Sequence, residues 1–151
     1  MATHQPIKSR SAADVAQRLR DAGIAPTRQR MRIATALLET PTHLSAQELY
    51  AKVNRNQRTV CRATVYNTLN LFVSRGLVRE IPVDANQTFY DSNVEIHHHI
   101  FNVDTGELVD IEPDSVIFKS LPPLPADTQQ DDISLIIRVR NKPREETNDT
   151  Q

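Results

Sequence analysis

Three consecutive histidines, His97-His98-His99, stand between two carboxylates, Asp91 and Asp110, near the middle of a 151-residue chain. Imidazole nitrogens and carboxylate oxygens together form a donor set for Fe(II), Mn(II) or Zn(II), and an imidazole is also an axial ligand for haem iron. In an extended strand alternate side chains share a face, so His97 and His99 point together and His98 points away. Two such imidazoles sit roughly 7 Å apart along the strand, close enough to chelate one ion. Asp110 falls on the next expected strand and can pair beside them. Asp91 lies at a junction in the chain, and His43 at the expected start of a helix far upstream. The single cysteine, Cys61, excludes an internal disulfide and any Cys-x-x-Cys zinc knuckle. Metal chemistry here must use nitrogen and oxygen.

The elements that would position these groups fall into two kinds. Residues 11–22 read as a helix capped by Ser11, with Val15, Ala16 and Leu19 on one face and Gly23 as its stop. A second helix covers 27–38, with Met31, Ala34, Leu37 and Leu38 at helical spacing and Pro41 beyond. A third opens on the capping box Ser45-Ala-Gln-Glu48 and buries Leu49 and Val53. A fourth spans 63–75, with Val65, Leu69, Phe72 and Val73 as its apolar stripe and Gly76 ending it. Two extended pieces, 78–81 and 88–90, flank the turn Asp84-Ala-Asn86. Helices followed by a hairpin make a winged helix. An unrelated helical bundle with a hairpin shares that pattern.

After Asp91 the texture changes. Residues 97–102 and 107–111 read as strands around the turn Asp104-Thr-Gly106, and 113–121 as a short helix with proline in its first position. The segment Leu121-Pro-Pro-Leu-Pro125 cannot be regular structure, while 133–139 has the composition of a buried strand. So small a unit buries its sheet poorly alone, so a homodimer is expected. The expectation is an α+β chain: a winged-helix DNA-binding domain over 1–90, a small α/β metal-binding dimerisation domain over 91–140, and a disordered tail over 141–151. No stretch approaches the roughly 20 apolar residues needed to span a bilayer, and the first residues have no signal-peptide core, which places the protein in the cytoplasm.

Charge divides the chain in the same place. Residues 1–80 carry 13 Lys/Arg against 5 Asp/Glu, a surplus of +8, and residues 81–151 carry 5 against 14, a surplus of −9, within a total of −1. The basic half suits a polyanion and the acidic half a cation. On the fourth helix the face opposite the apolar stripe shows Ala63, Asn67, Asn70 and Ser74, with Tyr66 on its flank. An asparagine can pair bidentately with adenine. Arg62 and Thr64 at the helix start, Arg28, Arg30 and Arg32 on the second helix, and Arg79 on the wing are candidates for phosphate contacts. Singly, each is an ordinary solvated residue; their weight is collective.

These residues resemble a known family. Pro26-Thr-Arg-Gln-Arg30, His43-Leu-Ser-Ala-Gln-Glu-Leu-Tyr50, Ala63-Thr-Val-Tyr66 with Leu69, and the block from His97 to Asp110 are similar to the ferric uptake regulators, over about residues 12–140. The histidine triplet and missing cysteines look most like the iron-response regulator branch. The resemblance implies a dimeric regulator, mainly a repressor, of iron and haem genes on an AT-rich inverted-repeat operator in double-stranded DNA. It also implies a hinge site for one divalent ion per subunit on His43, Asp91, His97, His99 and Asp110. Haem sensing would involve the triplet 97–99, and His98, unneeded by the hinge ion, becomes a candidate ligand.

The departures are specific. Asn102 and Thr105 stand where many relatives carry the first cysteine pair of a structural zinc site, so that site is absent. Ile96 and Ile117 replace the histidine and acid of a further interface site. Asn67 stands where an arginine is common, which implies a different operator preference. A Cys-Pro haem motif near the N-terminus is missing. Among other classes, a small hydrolase using the His/Asp cluster to activate water lacks a further acid or base and leaves the basic half unexplained; the expectation is that the chain is not an enzyme. A metal buffer would have no salt-sensitive, sequence-selective DNA affinity. A Fur-like or PerR-like metal co-repressor without haem sensing is the nearer alternative.

Overall fold

The computed structural model describes residues 9–143, so residues 144–151 of the expected disordered tail lie outside the described residues. The chain separates into two compact units between Val94 and Glu95. Asp91 therefore belongs to the first unit.

The first unit contains α1 (Ala12–Asp21), α2 (Arg28–Leu38), β1 (His43–Ser45), α3 (Ala46–Val53), α4 (Arg62–Ser74), β2 (Arg79–Pro82) and β3 (Thr88–Asp91). Local chemistry sets the helix ends. Ser11 and Ser45 close full capping boxes with Asp14 and Glu48, and the Thr27 hydroxyl accepts from the Arg30 amide. Both α1 and α4 end in the same way. Gly23 and Gly76 adopt φ of 71° and 69°, and the following residues, Ile24 and Leu77, donate their amides to Leu19 and Phe72 carbonyls at 2.8 and 2.9 Å. Only glycine takes that left-handed turn without a Cβ penalty, and the apolar residue after it folds back onto the helix it closes. Ile24 and Leu77 are accordingly buried.

One core joins all four helices. Val15, Leu19, Ile33, Leu37, Leu49, Val65, Leu69 and Phe72 are buried in it, and Tyr90 brings the sheet against it. The sheet is antiparallel in the order β1-β3-β2. Its first strand is a finding: His43 does not start the third helix but lies in β1, opposite Asp91. The Ser45 capping signal masks a strand of only three residues that ends on the cap itself. Ile33, fully buried at the centre of α2, also escapes a reading of that helix built on Met31, which is only half-buried.

The second unit is a three-stranded sheet of β4 (His98–Asn102), β5 (Leu108–Ile111) and β6 (Ile136–Val139), in the order β5-β4-β6. β4 runs antiparallel to β5 and parallel to β6. Two expectations fail here. The helix expected over 113–121 is one 3-10 turn, Pro113–Ser115: the β-branched pair Val116-Ile117 follows it, Val116 is already extended, and the chain runs on exposed to the prolines beyond. The strand expected over 133–139 begins only at Ile136 and is half exposed rather than buried. Its apolar composition marks a sheet face left uncovered. Ile100 pairs across to Val109 and Ile137, and those two neighbours are 47% and 42% exposed. Among the described residues of this unit the buried apolar side chains are Phe101 and Leu108 alone.

α4 is the helix of the first unit whose N-cap side chain makes no capping bond: Cys61 has the extended backbone of an N-cap without a good acceptor. Cys61→Ser supplies one at unchanged backbone and is expected to stabilise the protein by about 0.5–1 kcal/mol. Thermal melts of the two proteins check this, and an equal or lower midpoint for the serine variant counts against it.

Candidate metal centre and nucleic-acid interface

The second unit brings three of the expected ligands together. β4 and β5 pair His99 with Asp110, and His97, two residues before His99, shares its face. His97 Nε2 lies 3.2 Å and His99 Nε2 3.5 Å from the same carboxylate oxygen, Asp110 Oδ1. The two rings are 4.5 Å apart between centroids and tilted by 58°. Both histidines are buried, whereas the Asp110 side chain keeps 44% of its exposure. The site is thus dry beneath and open on one side.

The hydrogen bonding of His97 shows what this arrangement fits. Its Nδ1 lies 2.7 Å from the Glu95 carbonyl oxygen, which can only accept, so Nδ1 carries the proton. In the neutral ring Nε2 then presents a lone pair toward a carboxylate oxygen 3.2 Å away. Two lone pairs at that distance repel, and a cation accepting both removes the repulsion. Fixing one imidazole nitrogen on a carbonyl while the other faces the ligand position is how metal-binding histidines are oriented. His97, His99 and Asp110 each offer one donor atom, and these lie within 4.8 Å of one another. The donor set fits a divalent ion of the Fe(II), Mn(II) or Zn(II) class.

The first unit holds the other two expected ligands as a pair. His43 and Asp91 face each other across β1 and β3, with His43 Nε2 3.4 Å from Asp91 Oδ2. Asp91 is 1% exposed. Its other oxygen, Oδ1, accepts the Asn93 amide at 2.7 Å, which fixes the carboxylate and aims Oδ2 at the imidazole. Arg79, expected on the DNA side, occupies the same row, opposite Asp91 on β2, and is half-buried.

His98 points away from its neighbours, as strand geometry requires. Its Nδ1 accepts the Leu135 amide at 3.3 Å, and its ring meets Phe118 edge-on at 5.9 Å. The side chain is buried, leaving Nε2 as the nitrogen not engaged by that bond.

The residues expected to face nucleic acid on α4 are mostly at its surface. Arg62, Ala63, Tyr66, Asn67, Asn70 and Ser74 are exposed and Thr64 is half-buried, while Val65, Thr68, Leu69 and Phe72 are buried. Beside Tyr66 an open polar cleft of 530 Å³ is lined by Gln47, Asn86, Gln87, Thr88 and Tyr90 among others. Burial, then the charge of Glu80, holds the Tyr90 phenol above its ordinary range; it is a neutral donor at working pH.

Much of the basic surplus is spent on the fold. Arg10 donates to the Leu38 carbonyl at 2.9 Å, Lys52 to Ala36 at 2.8 Å, Arg32 to Val53 at 3.2 Å and Arg75 to Ala22 at 3.3 Å. Each closes the C-terminal turn of a helix, where the macrodipole favours a cation. Arg30 donates to the Ala25 carbonyl at 3.2 Å, and Arg62 stacks over the Tyr50 ring at 4.7 Å. Of the expected phosphate contacts, Arg28 stays exposed. Sequence reading missed Arg55 and Arg58, exposed in the loop before α4; their position just ahead of the helix was the available signal.

Residues 21–121 match the model of the Ferric uptake regulator family. The peroxide-responsive repressor PerR of Staphylococcus aureus (strain Mu50 / ATCC 700699) is 34% identical over 94 residues, which span 62% of this chain and 64% of that protein. The ferric uptake regulator of Pseudomonas aeruginosa, solved with manganese, superposes with a TM-score of 0.62 at 26% identity, covering 84% of this chain and 97% of that one. The Francisella tularensis ferric uptake regulator, solved with iron, gives a TM-score of 0.64 at 26% identity over 80% and 93% of the two chains.

The convergence on Asp110 has a direct test. Asp110→Asn keeps the shape but removes the charge, and is expected to weaken Mn(II) binding, read by calorimetric titration, at least about tenfold. An unchanged affinity would remove Asp110 from the ligand set.

Proposed function

Because this chain belongs to the ferric uptake regulator family, we propose that it is a cytoplasmic, homodimeric, metal-responsive transcriptional regulator, mainly a repressor, that binds double-stranded DNA through α4. The observation that carries the metal response is the approach of two buried imidazoles to one carboxylate oxygen, at 3.2 and 3.5 Å. Three donors from the second unit do not complete the coordination shell of Fe(II) or Mn(II). His43 and Asp91, an oriented imidazole and a buried carboxylate, are the further donors in our reading, so that one ion per subunit takes ligands from both units. When bound, that ion supplies Lewis-acid charge that offsets two carboxylates. The protein's part is to hold the imidazole tautomers and carboxylate rotamers that receive it.

Chain order favours this reading: Asp91 ends β3 and His97 follows six residues later, so an ion held on both sides restrains the linker between the units. The orientation of a DNA-binding unit on its dimerisation unit decides whether two recognition helices meet half-sites one helical turn apart. The dimer contact we assign to the sheet face of Ile100, Val109 and Ile137, which leaves apolar surface in water in a single chain. Base reading falls to Tyr66 and Asn67, with Asn70 beside them; the asparagines suit adenine and so an AT-rich inverted repeat. To Thr64 and Arg28 we assign phosphate contacts, which the exposure of Arg28 supports.

Haem is a second reading for the effector, favoured by His98, which the ion does not use and whose Nε2 is not held by the Leu135 bond. It would join this chain to the iron-response branch and to the control of iron and haem genes. The S. aureus relatives are named peroxide-responsive repressors, which adds peroxide to the effectors to be tried.

The test is fluorescence anisotropy on an AT-rich inverted-repeat duplex at fixed salt, with the protein metal-free, with Mn(II), with haem, and with Fe(II) before and after peroxide. Affinity gained with Mn(II) and lost in the His97→Ala/His99→Ala variant, whose dimer stays intact by ultracentrifugation, is the expected result. Binding lost only with haem selects the haem reading, and a double variant that responds like the wild type removes the sensing assignment. A Val109→Glu/Ile137→Glu variant is expected to sediment as a monomer; a retained dimer places the interface elsewhere.

A further inference from the structure

Between α3 and α4 the chain makes a short loop, residues 54–59, whose form is set by one side chain. Asn54 Oδ1 accepts the amides of Thr59 and Val60 at 2.9 and 3.1 Å, and Asn54 Nδ2 donates to the carbonyls of Tyr50 and Val60 at 3.0 and 2.9 Å. An asparagine using both ends of its amide in this way ties the loop to the end of α3 and the entry to α4. Val60, next to it, is 1% exposed and anchors the other side in the core. Both ends of the loop are thereby held.

What the loop presents is Arg55, Asn56, Gln57 and Arg58, all exposed. Six other cations of this unit are drawn onto carbonyls or a ring by the contacts described above. The guanidiniums of Arg55 and Arg58 have no such contact among the described residues. α4 itself carries one cation in thirteen residues, Arg62, and that one lies over Tyr50. A recognition helix with so little charge gains little sequence-independent affinity of its own, and affinity for duplex DNA comes mainly from neutralising phosphates. The nearest unspent cations along the chain are on the tethered loop that leads into it.

We propose that residues 54–59 form a phosphate clamp: Arg55 and Arg58, with the amides of Asn56 and Gln57, bind the DNA backbone beside the site that α4 reads, and Asn54 is the positioning residue that holds them there. This rests on the DNA-binding reading above. Affinity and base reading are thereby divided, the loop supplying the charge and α4 the selection.

The experiment is anisotropy on the AT-rich inverted repeat and on a scrambled duplex, with Mn(II) present, from 50 to 200 mM salt. Each phosphate contact contributes about 0.9 to the slope of log affinity against log salt. Arg55→Gln/Arg58→Gln should therefore lower the slope by about 2 on both duplexes. Across that salt range the wild type then loses about 12-fold more affinity than the variant. The ratio of specific to scrambled affinity should hold, and Arg55→Lys/Arg58→Lys should restore the slope. Asn54→Ala keeps both charges but frees the loop, and should give an intermediate slope at a melting point that shows the protein folded.

An unchanged slope in the glutamine variant, with a wild type that binds, overturns the clamp. A slope that falls together with the specificity ratio overturns the phosphate assignment in favour of base contacts. A wild type without salt-dependent duplex affinity overturns the DNA-binding reading and the clamp with it. A full slope in folded Asn54→Ala removes the positioning role.

Discussion

The carboxylate oxygen of Asp110, facing the Nε2 atoms of two buried histidines, is the constraint around which the second unit is built. Burying polar groups is unfavourable unless each finds a partner, and the burden is greatest for charged ones. Here three histidines occupy positions on and beside β4 that a self-sufficient sheet would fill with valine or isoleucine, and only Phe101 and Leu108 supply buried apolar side chains among the described residues. Binding that stabilises the folded arrangement also stabilises the fold, because the unfolded chain has no preformed site. A unit of this size with so thin a core gains from every such contact. In our reading the ion on one sheet face and the second copy on the other supply them.

A different economy governs the first unit. Its core is complete, and its surplus of positive charge serves two ends. Arg10, Arg32, Lys52 and Arg75 close helix C-termini that would otherwise leave carbonyls to solvent. Cations used in this way still add to the potential around the unit, which steers a polyanion toward it. A guanidinium has five N–H donors and an ammonium three, so a cation held on a carbonyl keeps others for a phosphate, but the carbonyl fixes where they can reach. Net charge counts both sets alike; hydrogen-bond partners separate them.

That distinction marks where the sequence was legible. Capping residues, apolar periodicity and two glycine stops locate α1 to α4 to within a residue or so, because each of those signals is local. Strand alternation placed His97 and His99 on one face with Asp110 beside them and His98 on the other, and the β4–β5 register bears this out. Three things were not legible. β1 is too short for periodicity and ends on a capping serine. The helix expected after Pro113 was a reading of proline in the first position that the β-branched residues after Ser115 overrule. The roles of Arg30, Arg62 and Arg79 depend on a carbonyl, a ring and a strand partner that only the fold brings near. Position along the chain identifies a cation, but not what it is already holding.

In our reading the two faces of β4 therefore carry separate functions. His99, with His97 just before the strand, faces Asp110 on one side, where our reading puts the ion, while Ile100 and its cross-strand partners lie on the other with His98. Side chains on opposite faces of a strand share a backbone but not a neighbourhood, so the donors and the apolar row can each change without redesigning the other. A one-residue slip in the pairing of β4 with β5 would exchange them, burying Val109 against the histidines and turning Asp110 to the apolar face. The pairing of His99 with Asp110 resists that slip. In our reading an ion taken up there would add to the hold on that register, while the backbone pairing of β4 with β5 keeps the apolar row in place without it.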